Sequence, residues 1–429
     1  MARWPWDPET VAVLRLASFQ SYAVSRGCGA TASILFQTAI LWQVYELTGS
    51  PIELGIIGLI RFVPTIALNL VGGATADTYD RRRVLMVAQG GALLAALVML
   101  GALVSNTITL GLLYGVALVT SAVNSFDTPA RQGLLQVVVP RRLFRSAIIV
   151  NQTLQATASV TGPAVAGVLI AWRGADAAYA VYAALLATSM VSLLTMRFDT
   201  AEHAARRGVT LSAMLEGLAY LWHRPVLLGI MALDLFAVIF GGARALLPIY
   251  AVDILHAGAT GYGILSAASE VGSLACAVAL LVLPKPAQTG RTMLMTVSAY
   301  GVTTILFGLS TWLPLAVVFY AATGVADQVS VVMRSTAIQL NTPDELRGRV
   351  TSVHSTFTNS SGHLGAVESG LVAGATNAVF SVVSGGVAVL VVVAVVAWLV
   401  PELRTFRAQA ATLTPLQEGQ SRWRSHVGW

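Results

Sequence analysis

Two long apolar segments of this chain are joined by the stretch Gly72-Gly73-Ala74-Thr75-Ala76-Asp77-Thr78-Tyr79-Asp80-Arg81-Arg82-Arg83. Three consecutive arginines beside an apolar segment indicate a junction that stays on the cytoplasmic side of a membrane. Asp77 precedes them at the end of the first apolar segment, where its charge can act on a neighbouring helix. The stretch therefore predicts a membrane helix on each side of it and gives both an orientation.

The composition of the whole chain is that of an integral membrane protein. Of its 429 residues, 56% are hydrophobic and only 11% are charged, whereas soluble domains carry about 25% charged residues. A helix that crosses a bilayer needs roughly 20 mostly apolar residues, and the chain offers about twelve such stretches. We predict spans at residues 16–46, 52–76, 84–104, 108–139, 147–172, 176–197, 225–253, 260–283, 292–309, 313–340, 349–375 and 378–400.

The formal net charge of +6 reports orientation and does not indicate nucleic-acid binding. Most of the 26 basic residues fall on the side that holds both termini, while only Arg173 falls in a loop on the opposite side. Cytoplasmic loops of membrane proteins carry such an excess of Lys and Arg. We therefore expect a multi-pass protein of the cell (inner) membrane with both termini in the cytoplasm.

The chain also contains an internal repeat. When Arg131 is aligned with Arg334, the matched pairs that follow are Gln136 with Gln339, Pro140 with Pro343, Gly162 with Gly365 and Gly167 with Gly370. The aligned positions lie six spans apart, so the repeats are parallel, as in transporters that rock two halves about a central site. This predicts an all-α membrane fold with twelve transmembrane helices in two six-helix, pseudo-symmetric halves.

The halves are expected at residues 1–198 and 225–401. The polar segment 199–224 would join them as a cytoplasmic linker with a short amphipathic helix. Residues 402–429 would form a cytoplasmic tail.

Several motifs of the chain resemble the major facilitator superfamily. The segment from Gly73 to Arg83 is similar to the signature loop between helices two and three of that superfamily. More narrowly, three motifs resemble its drug:proton antiporter branch, which includes the enterobactin exporter and macrolide-efflux proteins: Pro129-Ala130-Arg131-Gln132, Gly162-Pro163-Ala164-Val165-Ala166-Gly167 and Pro343-Asp344-Glu345-Leu346-Arg347-Gly348-Arg349-Val350. The resemblance covers nearly the whole chain.

This resemblance implies a secondary transporter that exports small amphipathic molecules of the drug or siderophore class by alternating access and proton antiport. An importer or lysolipid flippase on the same fold, or a transport-inactive receptor, stays open as an alternative. The expected partners are a small-molecule substrate, the proton and the lipid bilayer, with no nucleic acid, and the protein is expected to be a monomer. The predicted cytoplasmic segments hold no His-rich cluster, nucleophile elbow or phosphate loop. We therefore expect no metal, no cofactor and no enzymatic activity.

The resemblance also implies a gating latch formed by Asp77, Arg81, Arg131, Gly73 and Gly348. Asp77 and Arg131 would pair near the cytoplasmic ends of adjacent helices, and Asp77 would face the start of helix eleven near Gly348. A helix N-terminus carries roughly half a positive charge. The latch would therefore hold the two halves together while the cytoplasmic side is closed.

Charged residues inside the spans are the candidates for coupling. A charge at mid-membrane costs about 2.5–3.5 kcal/mol on insertion scales, so each one needs a partner or a purpose. Proton coupling needs a carboxylate that responds to desolvation and to nearby cations. Asp127 and Glu270 rank first and Asp327 is the third candidate. The alternative for each is a structural ion pair with an arginine in the membrane.

Substrate contacts are expected from polar residues on the midplane faces of the helices. Arg26 and Arg61 could attract an anionic substrate or equally neutralise nearby carboxylates. The full set of cavity candidates is Arg26, Gln37, Arg61, Asn124, Asn151, Gln155, Arg244 and Asn359.

Overall fold

The computed structural model of the protein describes residues 8–196, 211–282 and 289–406. Twelve long helices run through this described part. In the first half they are α1 (Ala17–Thr48), α2 (Pro51–Thr78), α3 (Arg81–Val104), α4 (Leu110–Val138), α5 (Phe144–Arg173) and α6 (Ala175–Thr195). In the second half they are α7 (Pro225–Phe240), α8 (Gly258–Val282), α9 (Thr289–Gly308), α10 (Leu313–Asn341), α11 (Asp344–Ala375) and α12 (Ala378–Leu399).

Short elements connect these helices. A helix at Pro8–Leu14 precedes α1, and a helix at Leu211–Trp222 lies where the sequence predicts an amphipathic linker helix. The remainder of the predicted linker, residues 199–210, and most of the predicted tail, residues 407–429, lie outside the described residues. Within the described ranges, nine helical stretches are long and apolar enough to cross a membrane. The predicted spans agree with the observed helices to within a few residues, except in α7.

The stretch from Gly72 to Arg83 forms a tight junction between α2 and α3. α2 ends at Thr78, Tyr79 is extended, and Asp80 caps α3 by accepting a hydrogen bond from the backbone N–H of Arg83 at 3.0 Å. Such a cap satisfies a donor that the first helical turn leaves free. Arg81 donates to the carbonyl oxygen of Gly133 at 2.6 Å, which ties the junction to the end of α4. The local structure thus comes from Asp80 and Arg81.

The helix packing repeats between the two halves. In the first half α1 packs against α5 and α6, α2 against α4, and α3 against α4 and α6. In the second half α7 packs against α11 and α12, α8 against α10, and α9 against α10 and α12. Each of these first-half contacts therefore has its counterpart six helices later. The chain is an all-α membrane protein, and the fold class predicted from the internal repeat is confirmed.

The span predicted at 225–253 matches the apolar stretch Pro225–Ile254, and helix α7 forms only its first part. It stops at Phe240, and the chain continues through the glycine pair Gly241-Gly242 and a tight turn at Ala243–Leu246. A short helix at Leu247–Ile249 and a wider helical turn at Tyr250–Ile254 follow. The glycines permit a close approach that a side chain would block, since a Cβ on Gly241 would lie 2.7 Å from the hydroxyl oxygen of Tyr300. The predicted span agrees with this stretch, but hydropathy alone does not register the break within it.

Candidate functional site

The two halves of the molecule meet closely at one end. We call the side at which α1 begins and α12 ends the termini side, and the opposite one the far side. On the far side α2 packs against α11, where a Cβ on Gly55 would lie 3.1 Å from the Cα of Gly370. In the symmetry-related contact between α5 and α8, a Cβ on Gly263 would lie 2.5 Å from the Cα of Gly167. Small residues let helix backbones approach this closely, and we call these two contacts the far-side seal.

Hydrogen bonds between the halves reinforce the far-side seal. Tyr45, near the end of α1, donates to Asp253 Oδ1 at 2.7 Å. Tyr262, in the first turns of α8, donates to the carbonyl oxygen of Thr38 at 2.8 Å. Both bonds lie in the far halves of their helices, so the two halves are held together at this end.

The termini side is open by comparison. Gly73 lies near the end of α2 and Gly348 near the start of α11. A Cβ on either would meet no described atom of another element within 4 Å. A cavity of about 870 Å³ runs along the first half as far as Gln136 and Phe144, at the termini-side ends of α4 and α5. The side chain of Asp77 lies outside the described residues, so its latch contact near Gly348 stays a prediction.

A second cavity of about 330 Å³ lies beneath the far-side seal and is lined by both halves. The two cavities share the side chains of Gln37, Arg61 and His363, so they meet at that point. Two arginines and two carboxylates line the smaller cavity together with His363 and four aromatic side chains: Arg61, Arg244, Glu270, Asp327, Tyr262, Tyr300, Phe307 and Tyr320. A pocket of this size can enclose a small ligand.

A compensated network of charges lies in the first half. Arg131 donates through Nε to Asp127 Oδ2 at 2.6 Å, one turn earlier on α4, and through Nη1 to Ser25 at 3.2 Å. Gln89 donates to the other oxygen of Asp127 at 3.4 Å. Arg131 therefore has a carboxylate partner on its own helix. The side chain of Asp77 lies outside the described residues, so its pairing with Arg131 stays a prediction.

Arg334, the repeat mate of Arg131, is compensated by a different helix. It forms an ion pair with Asp234 of α7, and the two side chains are only 2% and 7% exposed. Thr358 donates to the second oxygen of Asp234 at 3.3 Å. One turn before Arg334 the sequence has Ser330 where the first half has Asp127. Asp234 of α7 therefore supplies the carboxylate that α10 lacks at position 330.

The charges of the smaller cavity are less completely paired. Arg244, placed by the break in α7, lies 3.4 Å from Glu270, and both side chains remain partly exposed to the cavity. Asp327 has no cationic partner among the described residues. The guanidinium of Arg61 likewise has no carboxylate partner there, although its backbone oxygen accepts from Ser121 at 2.8 Å.

Comparison with known proteins identifies the family to which this architecture belongs. A family model described as a transmembrane secretion effector matches residues 9–421. The chain belongs to this family of the major facilitator superfamily. The protein thus shares its family with membrane transporters, and the recognition of that superfamily from the sequence is confirmed.

Two relatives of this protein have names that state a function. It is 28% identical over 407 residues to the multidrug efflux pump Tap of Mycolicibacterium fortuitum, covering 89% of this chain and 94% of that protein. It is 25% identical over 392 residues to the enterobactin exporter EntS of Escherichia coli, covering 90% of each.

Solved structures show the same fold. The nucleoside transporter NupG superposes with a TM-score of 0.70 at 13% identity, covering 91% of this chain and 100% of that one. A bacterial homologue of the lysosomal transporter Spinster, in an inward-facing and occupied conformation, superposes with a TM-score of 0.68 at 13% identity, covering 94% and 98%.

Most of the site residues predicted for this protein line the two cavities. The larger cavity is lined by Arg26, Asn124, Asp127, Arg131, Asn151 and Gln155, the smaller by Arg244, Glu270 and Asp327, and both by Gln37 and Arg61. Arg26 donates to Gln155 at 2.7 Å. The side chain of Asn359 lies outside the described residues. Arg81 serves the helix junction described above.

Sequence reasoning missed the aromatic lining of the smaller cavity. Tyr320 precedes Asp327 by two helical turns, and Tyr262 precedes Glu270 by slightly more than two turns. Each tyrosine therefore shares a helix face with a carboxylate, and this spacing is the signal that could have found them. Asp234, the partner of Arg334, was not among the three ranked carboxylates either.

Proposed function

We propose that this protein exports small amphipathic molecules of the drug or siderophore class by alternating access and proton antiport. One observation carries the proposal: the halves are sealed at the far side while a polar cavity lined by both of them extends towards the termini side. Two parallel repeats that rock about such a cavity would open it to each side in turn.

The orientation follows from the arginines. Arg81, Arg82 and Arg83 lie at the termini side, as do Arg141 and Arg142 in the turn before α5. Basic residues concentrate in cytoplasmic loops, so we assign the termini side to the cytoplasm of the cell (inner) membrane. The cavity would then load from the cytoplasm and release its cargo on the far side, which is export.

The relatives favour export over the alternatives. Tap is named a multidrug efflux pump and EntS an enterobactin exporter. Both match about nine tenths of this chain. An importer, a lysolipid flippase or a transport-inactive receptor has no comparable support.

Asp327 is our choice for the coupling carboxylate. Asp127 lies 2.6 Å from Arg131 and Glu270 lies 3.4 Å from Arg244, so protonating either would sacrifice an ion pair. Protonating Asp327 breaks no ion pair among the described residues. The geometry therefore reverses the ranking made from the sequence, in which Asp127 and Glu270 came first.

Transport by vesicles of known orientation tests the proposal. Inverted membrane vesicles with an acidic lumen should accumulate an amphipathic fluorescent dye and release protons as they do so, because the lumen then corresponds to the cell exterior. Vesicles from cells that carry the empty vector are the control. Accumulation confined to right-side-out vesicles, or none in either orientation across a panel of dyes, would contradict export.

A further inference from the structure

The smaller cavity holds one unpaired charge of each sign. Arg244 and Glu270 lie 3.4 Å apart and compensate each other. This leaves the guanidinium of Arg61 and the carboxylate of Asp327, neither of which has an oppositely charged partner among the described residues. Unpaired charges at this depth of a membrane are costly and mark functional positions.

The two unpaired charges belong to different halves of the molecule. Arg61 is on α2 of the first half and Asp327 is on α10 of the second, and both line the same cavity of about 330 Å³. A ligand with a single charge would satisfy only one of them. A ligand with an anionic and a cationic group would satisfy both and would connect the halves.

Aromatic side chains complete the surroundings of Asp327. Tyr262, Tyr300, Phe307 and Tyr320 line the cavity together with it. The rings of Phe307 and Tyr320 are in contact, with centroids 4.8 Å apart. Aromatic faces attract cations and stack on flat ligands, so the wall around Asp327 suits the cationic, ring-bearing end of a molecule.

We propose that the cavity binds an amphipathic zwitterion, with its anionic group at Arg61 and its cationic group at Asp327. This rests on the proposed function and names the substrate class of the same site. The cationic group would replace the proton on Asp327, so binding of the substrate on the cytoplasmic side would release that proton. Arg26 is the rival for the anionic group, since its partner Gln155 is neutral.

Three dyes that share a xanthene scaffold test this inference. Rhodamine B is a zwitterion, its ethyl ester is a cation, and fluorescein is an anion without the cationic group. Fluorescence anisotropy with the purified full-length protein in lipid nanodiscs should show rhodamine B binding about tenfold more tightly than either of the others, as expected for one additional charged contact.

Two substitutions should separate the charged contacts. Arg61→Gln should weaken rhodamine B about tenfold and leave its ester unchanged, and this unchanged affinity also reports an intact cavity. Asp327→Asn should weaken rhodamine B and the ester and leave fluorescein unchanged. Arg61→Lys should restore part of the preference. Arg173→Gln and Asp176→Asn, at exposed far-side positions, are the matched controls.

Equal or weaker binding of rhodamine B, including none that can be detected, would overturn the inference. So would a preference that disappears with Arg26→Gln and persists with Arg61→Gln. Binding needs no gradient and is therefore independent of transport. If the protein transports dyes but binds the three dyes equally, the zwitterion inference fails and export is unaffected. If it prefers rhodamine B but transports no dye, export fails and the zwitterion inference is unaffected.

Discussion

At the scale of single residues, Arg131 and Arg334 occupy equivalent places in the repeat and are neutralised differently. Arg131 uses Asp127 on its own helix, with the carboxylate 17% exposed. Arg334 uses Asp234 from α7, and that pair is almost fully buried. A buried charge that loses its partner is strongly destabilising. The second pair is therefore the more important of the two for stability.

Asp234→Asn should destabilise the protein by about 3–5 kcal/mol, because Arg334 would remain buried without a carboxylate. Thermal unfolding of the detergent-solubilised protein, followed by size-exclusion fluorescence, measures the effect. Asp127→Asn is the matched comparison and should cost less, since that pair is more exposed. A melting temperature unchanged by Asp234→Asn would show that the pair contributes little.

Asp327→Asn should uncouple transport from the proton gradient. Downhill dye uptake would persist at raised dye concentrations, but an imposed pH gradient would no longer increase it, and substrate-dependent proton release would be lost. Asp127→Asn and Glu270→Gln should retain the gradient dependence, as measured in proteoliposomes with a pH-sensitive dye. Retained coupling in Asp327→Asn would assign the proton to another group.

The charged residues show how far sequence reasoning reaches. The spans and the intramembrane charges follow from hydropathy, and the equivalence of Arg131 and Arg334 follows from the repeat. The partner of Arg334 could not be predicted, because Ser330 replaces the local carboxylate and Asp234 lies about 100 positions away along the chain, where only packing brings it close. The lack of a cationic partner for Asp327 among the described residues likewise depends on packing.

At the scale of elements, the break in α7 places Arg244 in the smaller cavity. Gly241 lies against Tyr300, whose hydroxyl donates to the Gly241 carbonyl oxygen at 3.0 Å. Gly242 lies against Gly365 of α11, the repeat mate of Gly162. The glycine pair and Pro248 are visible in the sequence as helix breakers, but the apolar residues around them dominate the hydropathy average.

Gly241→Ala should reduce both stability and transport. The added Cβ would meet the hydroxyl of Tyr300 at 2.7 Å, and overpacking of this kind costs about 1–3 kcal/mol. Gly101→Ala in α3 is the matched control, since nothing lies within 4 Å of its added methyl. Unfolding temperature and dye uptake are measured together. Equal behaviour of the two variants would mean that the break tolerates a side chain.

The two aspartates at the junction between α2 and α3 have different roles. Asp80 caps α3 through the backbone N–H of Arg83, whereas Asp77 is assigned to the proposed latch. Asp77→Asn should therefore lower transport and leave expression and unfolding temperature unchanged. Asp80→Asn should preserve both properties, because asparagine is an equally good cap. Full transport by Asp77→Asn would rule out the latch.

At the scale of the whole molecule, the repeat explains the far-side seal. Gly167 and Gly370 are repeat mates, and each takes part in one of the two contacts of the far-side seal. Their equivalence was visible in the sequence, but their partners Gly263 and Gly55 were not. The sequence also could not predict that the far side is the closed one. Both conformations of a rocking transporter have the same sequence and differ in which ends of the two halves are in contact.

Gly167→Leu should shift the molecule away from the conformation described here. A leucine cannot fit where a Cβ on Gly263 would already lie 2.5 Å from the Gly167 Cα, so the far side must open and the termini side must close. Spin labels on Thr75→Cys and Thr351→Cys, at a half-buried position of α2 and an exposed position of α11 on the termini side, measure this as a shorter distance by pulsed electron paramagnetic resonance. Val168→Leu, at the neighbouring exposed position, should leave the distance distribution unchanged. If Gly167→Leu opens the far side without shortening the termini-side distance, the two ends are not coupled and alternating access fails as the mechanism.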